Sequence, residues 1–222
     1  MTTTIVFDVN ETLLDLAAMD PIFERHFGDT SVRREWFAQV LMTTLTMTLV
    51  GDYSNFAKVG DAALAMVGER RGVSTTGDQR AEIMLEMRKL PPHADVPTGL
   101  GTLRDNGFRL STLTNSPPAM VEAQLRHAGL AEFFDALLSV DQIRKFKPDP
   151  AAYEMAATAL DAAPADLWLV AAHNWDTTGA LAAGWRAAFL ARPGMIIGPL
   201  DRVPTLRGAT LPEIADGIVA AA

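Results

Sequence analysis

The chain contains no cysteine. That absence removes disulfide frameworks, thiolate metal sites and a cysteine nucleophile together, and it fits a reducing compartment. Positive charge is also scarce: 19 Lys and Arg stand against 27 Asp and Glu, a net charge of −8 spread along the chain. A phosphate backbone would be repelled, so nucleic acid is excluded as a partner. No apolar run approaches the roughly 18 residues that a membrane span requires, and the opening Met1–Ile5 segment has no basic region of the secretory kind. Internal repeats and low-complexity tracts are absent, although the Ala-rich segment from about Leu211 is compositionally simple. The expectation is a cytoplasmic protein without a membrane partner. What remains is 222 residues, 49% apolar and 21% charged, enough for one generous domain or a domain carrying a large insertion.

Thr4-Ile-Val-Phe-Asp-Val9 is a short β-branched run that reads as a buried strand with Asp8 near its carboxyl end. Similar runs recur at 108–114, 136–139, 167–172 and 187–190, with helical stretches between the later ones, which predicts a parallel α/β sheet of Rossmann-like type. From Leu16 to Leu90 the texture is helical. Phe37, Val40, Leu41, Thr44, Leu45 and Thr48 recur at intervals of three and four, and Pro91-Pro92 and Pro97 mark the return to the sheet. The expected organisation is a core of residues 1–16 and 91–222 with a helical cap over 17–90.

Ligands of open α/β sheets bind at the carboxyl ends of the strands. Four segments fall there: Phe7-Asp-Val-Asn-Glu-Thr-Leu13, Leu113-Thr-Asn-Ser116, Lys145-Phe-Lys-Pro-Asp149 and Ala171-Ala-His-Asn-Trp-Asp176. They bring one carboxylate, hydroxyl and amide donors, a cation and a second carboxylate to one rim, the inventory of a covalent carboxylate mechanism.

Asp8-Val-Asn-Glu-Thr12, Leu113-Thr-Asn115, Lys147-Pro-Asp149 and Trp175-Asp-Thr-Thr-Gly179 resemble, in order and over the whole chain, the four motifs of the haloacid dehalogenase superfamily. Leu138-Ser-Val-Asp141 and the Lys147-Pro-Asp-x-x-x-Tyr153 spacing are most similar to its L-2-haloacid dehalogenase group. The resemblance implies a hydrolase in which Asp8 attacks an sp³ carbon, forms an enzyme ester and is regenerated when water attacks its own carbonyl. It further implies that Lys147 keeps Asp8 ionised and Thr12 hydrogen-bonds it, while Asp176 holds the hydrolytic water. Thr114 and Asn115 would bind the substrate carboxylate, and Tyr153 would support the cluster. A homodimer is expected on the same ground.

The departures from the family narrow the chemistry. Phosphatases of the superfamily carry a second acid where this chain has Asn10, which cannot protonate a leaving alkoxide, and a further acid where it has Ala172. Neither a metal nor another cofactor is therefore expected. Dehalogenase relatives usually place Tyr at Asn10, Arg at Phe37, Ser at Ala171 and Asn at His173. The missing Arg and Asn cradle the departing halide, and His173 is a candidate replacement because its ring N–H is a donor. The Asp8-Val-Asn-Glu-Thr12 form of the first motif is also similar to that of L-azetidine-2-carboxylate hydrolase. That resemblance offers an alternative, ring-opening C–N hydrolysis with Asn10 Oδ1 accepting from the ring ammonium. Phe56 and Trp175 are candidate pocket walls.

His26, His93 and His127 lack partners at ligand spacing and are read as structural. Arg33-Arg34 and Glu69-Arg-Arg71 read as solvated helix faces. Gly99-Leu-Gly101 fails the dinucleotide fingerprint because Arg104 stands where a third Gly is required.

Overall fold

The computed structural model describes residues 3–222. Met1 and Thr2, at the start of the opening segment, lie outside the described residues. The first strand, β1 (Thr4–Phe7), is followed by an insertion of α1 (Asp20–Phe27), α2 (Val32–Val50), α3 (Phe56–Arg71) and α4 (Gly77–Glu86). The chain then runs through α5 (Val96–Asp105), β2 (Arg109–Thr114), α6 (Pro118–His127), β3 (Ala136–Ser139) and α7 (Pro150–Ala159). It finishes with β4 (Leu167–Ala171), α8 (Asn174–Ala182), β5 (Arg186–Leu190), β6 (Leu206–Gly208) and α9 (Leu211–Ala220). The strands form one six-stranded sheet in the order β3-β2-β1-β4-β5-β6, with every pairing parallel. The fold is the Rossmann-like α/β core with a helical insertion after its first strand. No helix among the described residues is long and apolar enough to cross a membrane.

β1 and β4 are buried along their whole length. A parallel strand covered on both faces has no reason to alternate, which is why these segments are continuous apolar runs. β6 has no counterpart in the sequence pattern: Leu206-Arg-Gly208 is a three-residue edge strand with an exposed Arg207, too short and too polar to stand out. Gly99 finds its reason in packing, since a Cβ there would lie 2.5 Å from Leu211 Cγ where α5 meets α9.

The insertion joins the core by side-chain contacts. Trp36, Phe23 and Val40 fill the interior of the helical layer, and the Trp36 indole donates to Gly60 O on α3 at 2.9 Å. Tyr53, between α2 and α3, donates to Asp141 beyond β3, and the Phe146 N–H donates to Thr48 Oγ1 of α2 at 3.2 Å. The apolar face read on α2 is not wholly buried. Phe37, Val40 and Thr44 are buried, whereas Leu45 is 38% exposed in a stripe with Met42 and Leu49.

Candidate active site

The chain order takes β1 to β2 and β3 on one side and then crosses to β4, β5 and β6 on the other, so the topological switch point lies at β1. At such a point the connections diverge and leave a crevice at the strands' carboxyl ends. Asp8 directly follows β1 there, its N–H donating to Val170 O at 3.1 Å. A tight turn follows, closed by Leu13 N–H to Val9 O at 2.9 Å and Glu11 N–H to Leu14 O at 2.9 Å. This turn brings Thr12 back over Asp8.

Lys147 sits between β3 and α7 with a side chain that is 0% exposed. Its ammonium donates to Asp8 Oδ1 at 3.0 Å, Asp176 Oδ2 at 2.6 Å and Leu113 O at 2.7 Å, which uses all three of its protons. Thr12 Oγ1 accepts from Ala172 N–H at 3.0 Å and donates to Asp8 Oδ2 at 2.7 Å. Asp176, in the first turn of α8, accepts from Tyr153 OH at its Oδ1, 2.6 Å away. Gly179 permits this approach, since a Cβ at that position would stand 2.3 Å from the Tyr153 oxygen. Asp149 acts locally, its Oδ1 accepting from Ala151 N–H at 2.9 Å to cap α7.

Burial alone would raise the Asp8 carboxyl, but the Lys147 ammonium, the His173 hydrogen bond and charge, and Thr12 together hold it well below the usual carboxylate range. Burial likewise opposes the charged form of Lys147, and the carboxylates of Asp176 and Asp8 outweigh it, so the ammonium persists. Asp176 moves upward, chiefly through burial and against the pull of Lys147. The site is thus an ionised Asp8 beside a permanent cation.

The remaining candidates occupy distinct places. A cavity of about 10 Å³, room for little more than one water molecule, is lined by Asp8, Asn10, Phe37, Phe56, Thr114, Asn115, His173 and Trp175, with Leu41. Tyr153 does not border it. Asn115 Oδ1 accepts from Lys147 N–H at 3.0 Å, and Thr114 Oγ1 accepts from Ser116 N–H at 3.1 Å. Asn10 is tied to the core: its Oδ1 accepts from Gln124 Nε2 at 3.0 Å and its amide donates to Ser116 Oγ at 3.2 Å. Trp175 Nε1 is a buried donor with no partner among the described residues.

His173 is 6% exposed, with Nδ1 3.2 Å from Asp8 Oδ2 and Nε2 2.9 Å from Glu11 Oε2. Burial would lower its pKa, but the bonds to Asp8 and Glu11 raise it to about 9. A group raised on folding stabilises fully below its unfolded value and loses that contribution as pH rises through its folded value. Thermal stability is therefore expected to fall between pH 6.5 and 9, by on the order of 3 kcal/mol. Melting curves of the wild type and His173→Asn check this, since the decline should be absent from the variant.

Glu11 and Arg33 join the site without a local sequence signal. Arg33 is buried at 5% exposure, contrary to its reading as part of a solvated face. Its Nε lies 2.5 Å from Asp20 Oδ1 and its Nη1 3.7 Å from Glu11 Oε1. Successive helical residues point about 100° apart, so Arg33 turns inward while Arg34 stays exposed. Arg70 and Arg71 are exposed and pair with Glu35, as a solvated face should. A larger cavity of about 420 Å³, reaching Glu11, Arg33, His93, His173 and Arg192, adjoins the small one across Phe37, Leu41 and His173.

A parallel sheet, a helical insertion after β1 and a lysine clamped between two carboxylates at the switch point define a hydrolytic enzyme of the doubly wound α/β class. The family model for haloacid dehalogenase-like hydrolases matches residues 2–184. The (S)-2-haloacid dehalogenase of Pseudomonas sp. (strain YL) is 29% identical over 216 residues, 96% of this chain and 92% of that protein. A second (S)-2-haloacid dehalogenase, from Pseudomonas sp. (strain CBS-3), is 31% identical over 84% of this chain and 83% of its own length. Among solved structures, the L-2-haloacid dehalogenase of Xanthobacter autotrophicus matches with a TM-score of 0.94 and 26% identity, each chain covered in full. The same enzyme with chloropropionic acid covalently bound matches at 0.94 and 25%, again covering both chains in full. This chain belongs to the haloacid dehalogenase-like hydrolases.

Proposed function

We propose that the protein hydrolyses the carbon–halogen bond of a small (S)-2-haloacid through an ester at Asp8. The observation that carries this reading is the ionised Asp8 at the cavity wall, held by Lys147 and Thr12, in a fold that matches a relative with chloropropionic acid covalently bound. Asp8 would attack the carbon opposite the halide and invert it, with Thr114 and Asn115 holding the substrate carboxylate. Tyr153 would position Asp176, which in turn would position Lys147. Phe37 and Phe56 would wall the cavity. Residues 17–90 would act as a cap domain over a core of 1–16 and 91–222, and substrate would enter from the larger cavity as Phe37 and Leu41 move aside.

The departing halide would be received by the indole N–H of Trp175, a wall residue of this cavity whose Nε1 is buried without a partner among the described residues. Losing one hydrogen bond to a developing charge costs about 1.5–3 kcal/mol, so Trp175→Phe should lower kcat by roughly 10- to 150-fold. An unchanged kcat, measured by chloride release, would remove Trp175 from this role.

A divalent cation does not fit the donor set, because Asn10 and Ala172 replace acids and the Lys147 ammonium already joins the two carboxylates. The relatives favour haloacids over ring opening, and Asn10 Oδ1 already accepts from Gln124. Side-by-side assay of 2-chloropropionate, fluoroacetate and azetidine-2-carboxylate, with and without chelator, tests the reading. Chloride release indifferent to chelation supports it. Magnesium-dependent cleavage of a phosphate ester would replace it.

A homodimer would use the stripe Met42, Leu45, Leu49 and Val50 on α2, apolar and at least 38% exposed. Sedimentation equilibrium should give twice the chain mass for the wild type and the single mass for Leu49→Glu. A monomeric wild type would contradict it.

A further inference from the structure

The reaction outlined above leaves Glu11 and the ring of His173 without a role. Glu11 has a left-handed backbone, φ 63°, a conformation that is unfavourable for a non-glycine residue and persists only where the surroundings impose it. It sets the Glu11 carboxylate against the outer nitrogen of His173, 2.9 Å away. The inner nitrogen is 3.2 Å from Asp8 Oδ2. The ring stacks on Trp175, with centroids 5.0 Å apart at 24°, and meets Phe37 in a tilted contact, 6.0 Å apart at 31°. With Glu11 accepting from Nε2–H, a neutral His173 must present the lone pair of Nδ1 to Asp8.

The family resemblance assigns the hydrolytic water to Asp176. Here both Asp176 oxygens are engaged, Oδ1 by Tyr153 and Oδ2 by Lys147, and the residue does not border the cavity at Asp8. His173 does, and it also lines the larger cavity.

We propose that His173 is the base that takes the proton from the hydrolytic water, and that Glu11 is its positioning residue. This rests on the aspartyl-ester reading. In the first step a bond forms between an Asp8 oxygen and the substrate carbon, and the carbon–halogen bond breaks with its electron pair leaving on the halide. Asp8 is then uncharged, one of the two carboxylates that stabilised the imidazolium is gone, and His173 releases its proton to solvent through the larger cavity. In the second step water oxygen bonds to Asp8 Cγ while one of its protons passes to Nδ1. The bond from Cγ to the alkyl oxygen breaks, and that oxygen takes the remaining proton from the new carboxyl. The products are the 2-hydroxy acid, ionised Asp8 and protonated His173, so each turnover yields one halide and one proton. The charged groups facing this ring are Asp8, with Lys147 behind it, and Glu11, with Arg33 behind it.

The test uses purified enzyme with (S)-2-chloropropionate. Wild type should release chloride continuously. His173→Asn should release about one equivalent and then slow by roughly 10²- to 10⁴-fold, with intact mass showing the propionate ester on the protein. Glu11→Gln should keep KM and lower kcat, and its acid limb should move to lower pH because the imidazolium has lost an anion. His173→Asn turning over within a few-fold of an active wild type, without ester, overturns the role of His173 and leaves the ester reading standing. A folded His173→Asn without the initial chloride also overturns it, placing the ring in the first step. Absence of chloride from wild type sinks the ester reading and this inference together. Should His173→Asn fail to fold, an unmoved acid limb in Glu11→Gln is the contradicting result.

Discussion

Replacing Lys147 by methionine is expected to lower the melting temperature by about 10 °C and to cut turnover by on the order of 10³-fold. The side chain is 0% exposed and its ammonium stands between Asp8 and Asp176. Methionine fills much of the same volume, so the loss is electrostatic rather than a cavity. Asp176 would be left without a cation and Asp8 with His173 alone, and breaking such a buried pair costs about 3–5 kcal/mol. Asp176 is already raised by burial and would protonate first, taking up part of the strain. Asp8 would also rise from its depressed value, and the His173 imidazolium beside it would lose a nearby cation, so the acid limb that His173 sets should move to higher pH. Calorimetry and a pH–rate profile on the same preparation check both effects. A variant as stable and as active as wild type would show that the clamp is incidental.

The second large effect belongs to Asp8 itself. Asp8→Ala should be inactive, with loss on the order of 10⁴- to 10⁶-fold, the range seen when a nucleophile is removed from a covalent mechanism. Stability should change far less, because Lys147 keeps Asp176 and Leu113 O as partners and Thr12 keeps Ala172 N–H. A folded, inactive protein is therefore expected, and circular dichroism beside the chloride assay separates this from unfolding. Residual turnover within about 100-fold of wild type would instead be the size of effect expected of a general base.

The site is unevenly legible in the sequence, for physical reasons. β1 and β4, buried along their whole length, and β5, buried after its first residue, carry apolar runs that stand out together with the polar residues at their ends, and β2 and the partly buried β3 stand out by their short apolar stretches between helical segments. Asp8, Thr12, Lys147 and Asp176 converge as that placement requires. β6 is illegible because an edge strand of three residues with a charged middle has no pattern of its own. Arg33 reads wrongly as solvated because composition does not say which way a helix turns. Glu11 stands inside the first motif, yet its partner lies 162 positions away, and no local spacing reports such a pairing. Asn10 shows the same limit, being held by Gln124 and Ser116 across more than 100 positions.

The ester at Asp8 is the claim on which the rest depends, and one measurement addresses it directly. In a single turnover in heavy-oxygen water, with enzyme in excess over (S)-2-chloropropionate, water attacks Asp8 Cγ and the product takes its oxygen from the enzyme. Peptide mass spectrometry should then find heavy oxygen in the Asp8 carboxyl and almost none in the hydroxy acid. Label appearing in the hydroxy acid in that first turnover, with the Asp8 peptide unlabelled, would mean that water attacks the substrate directly and would contradict the account.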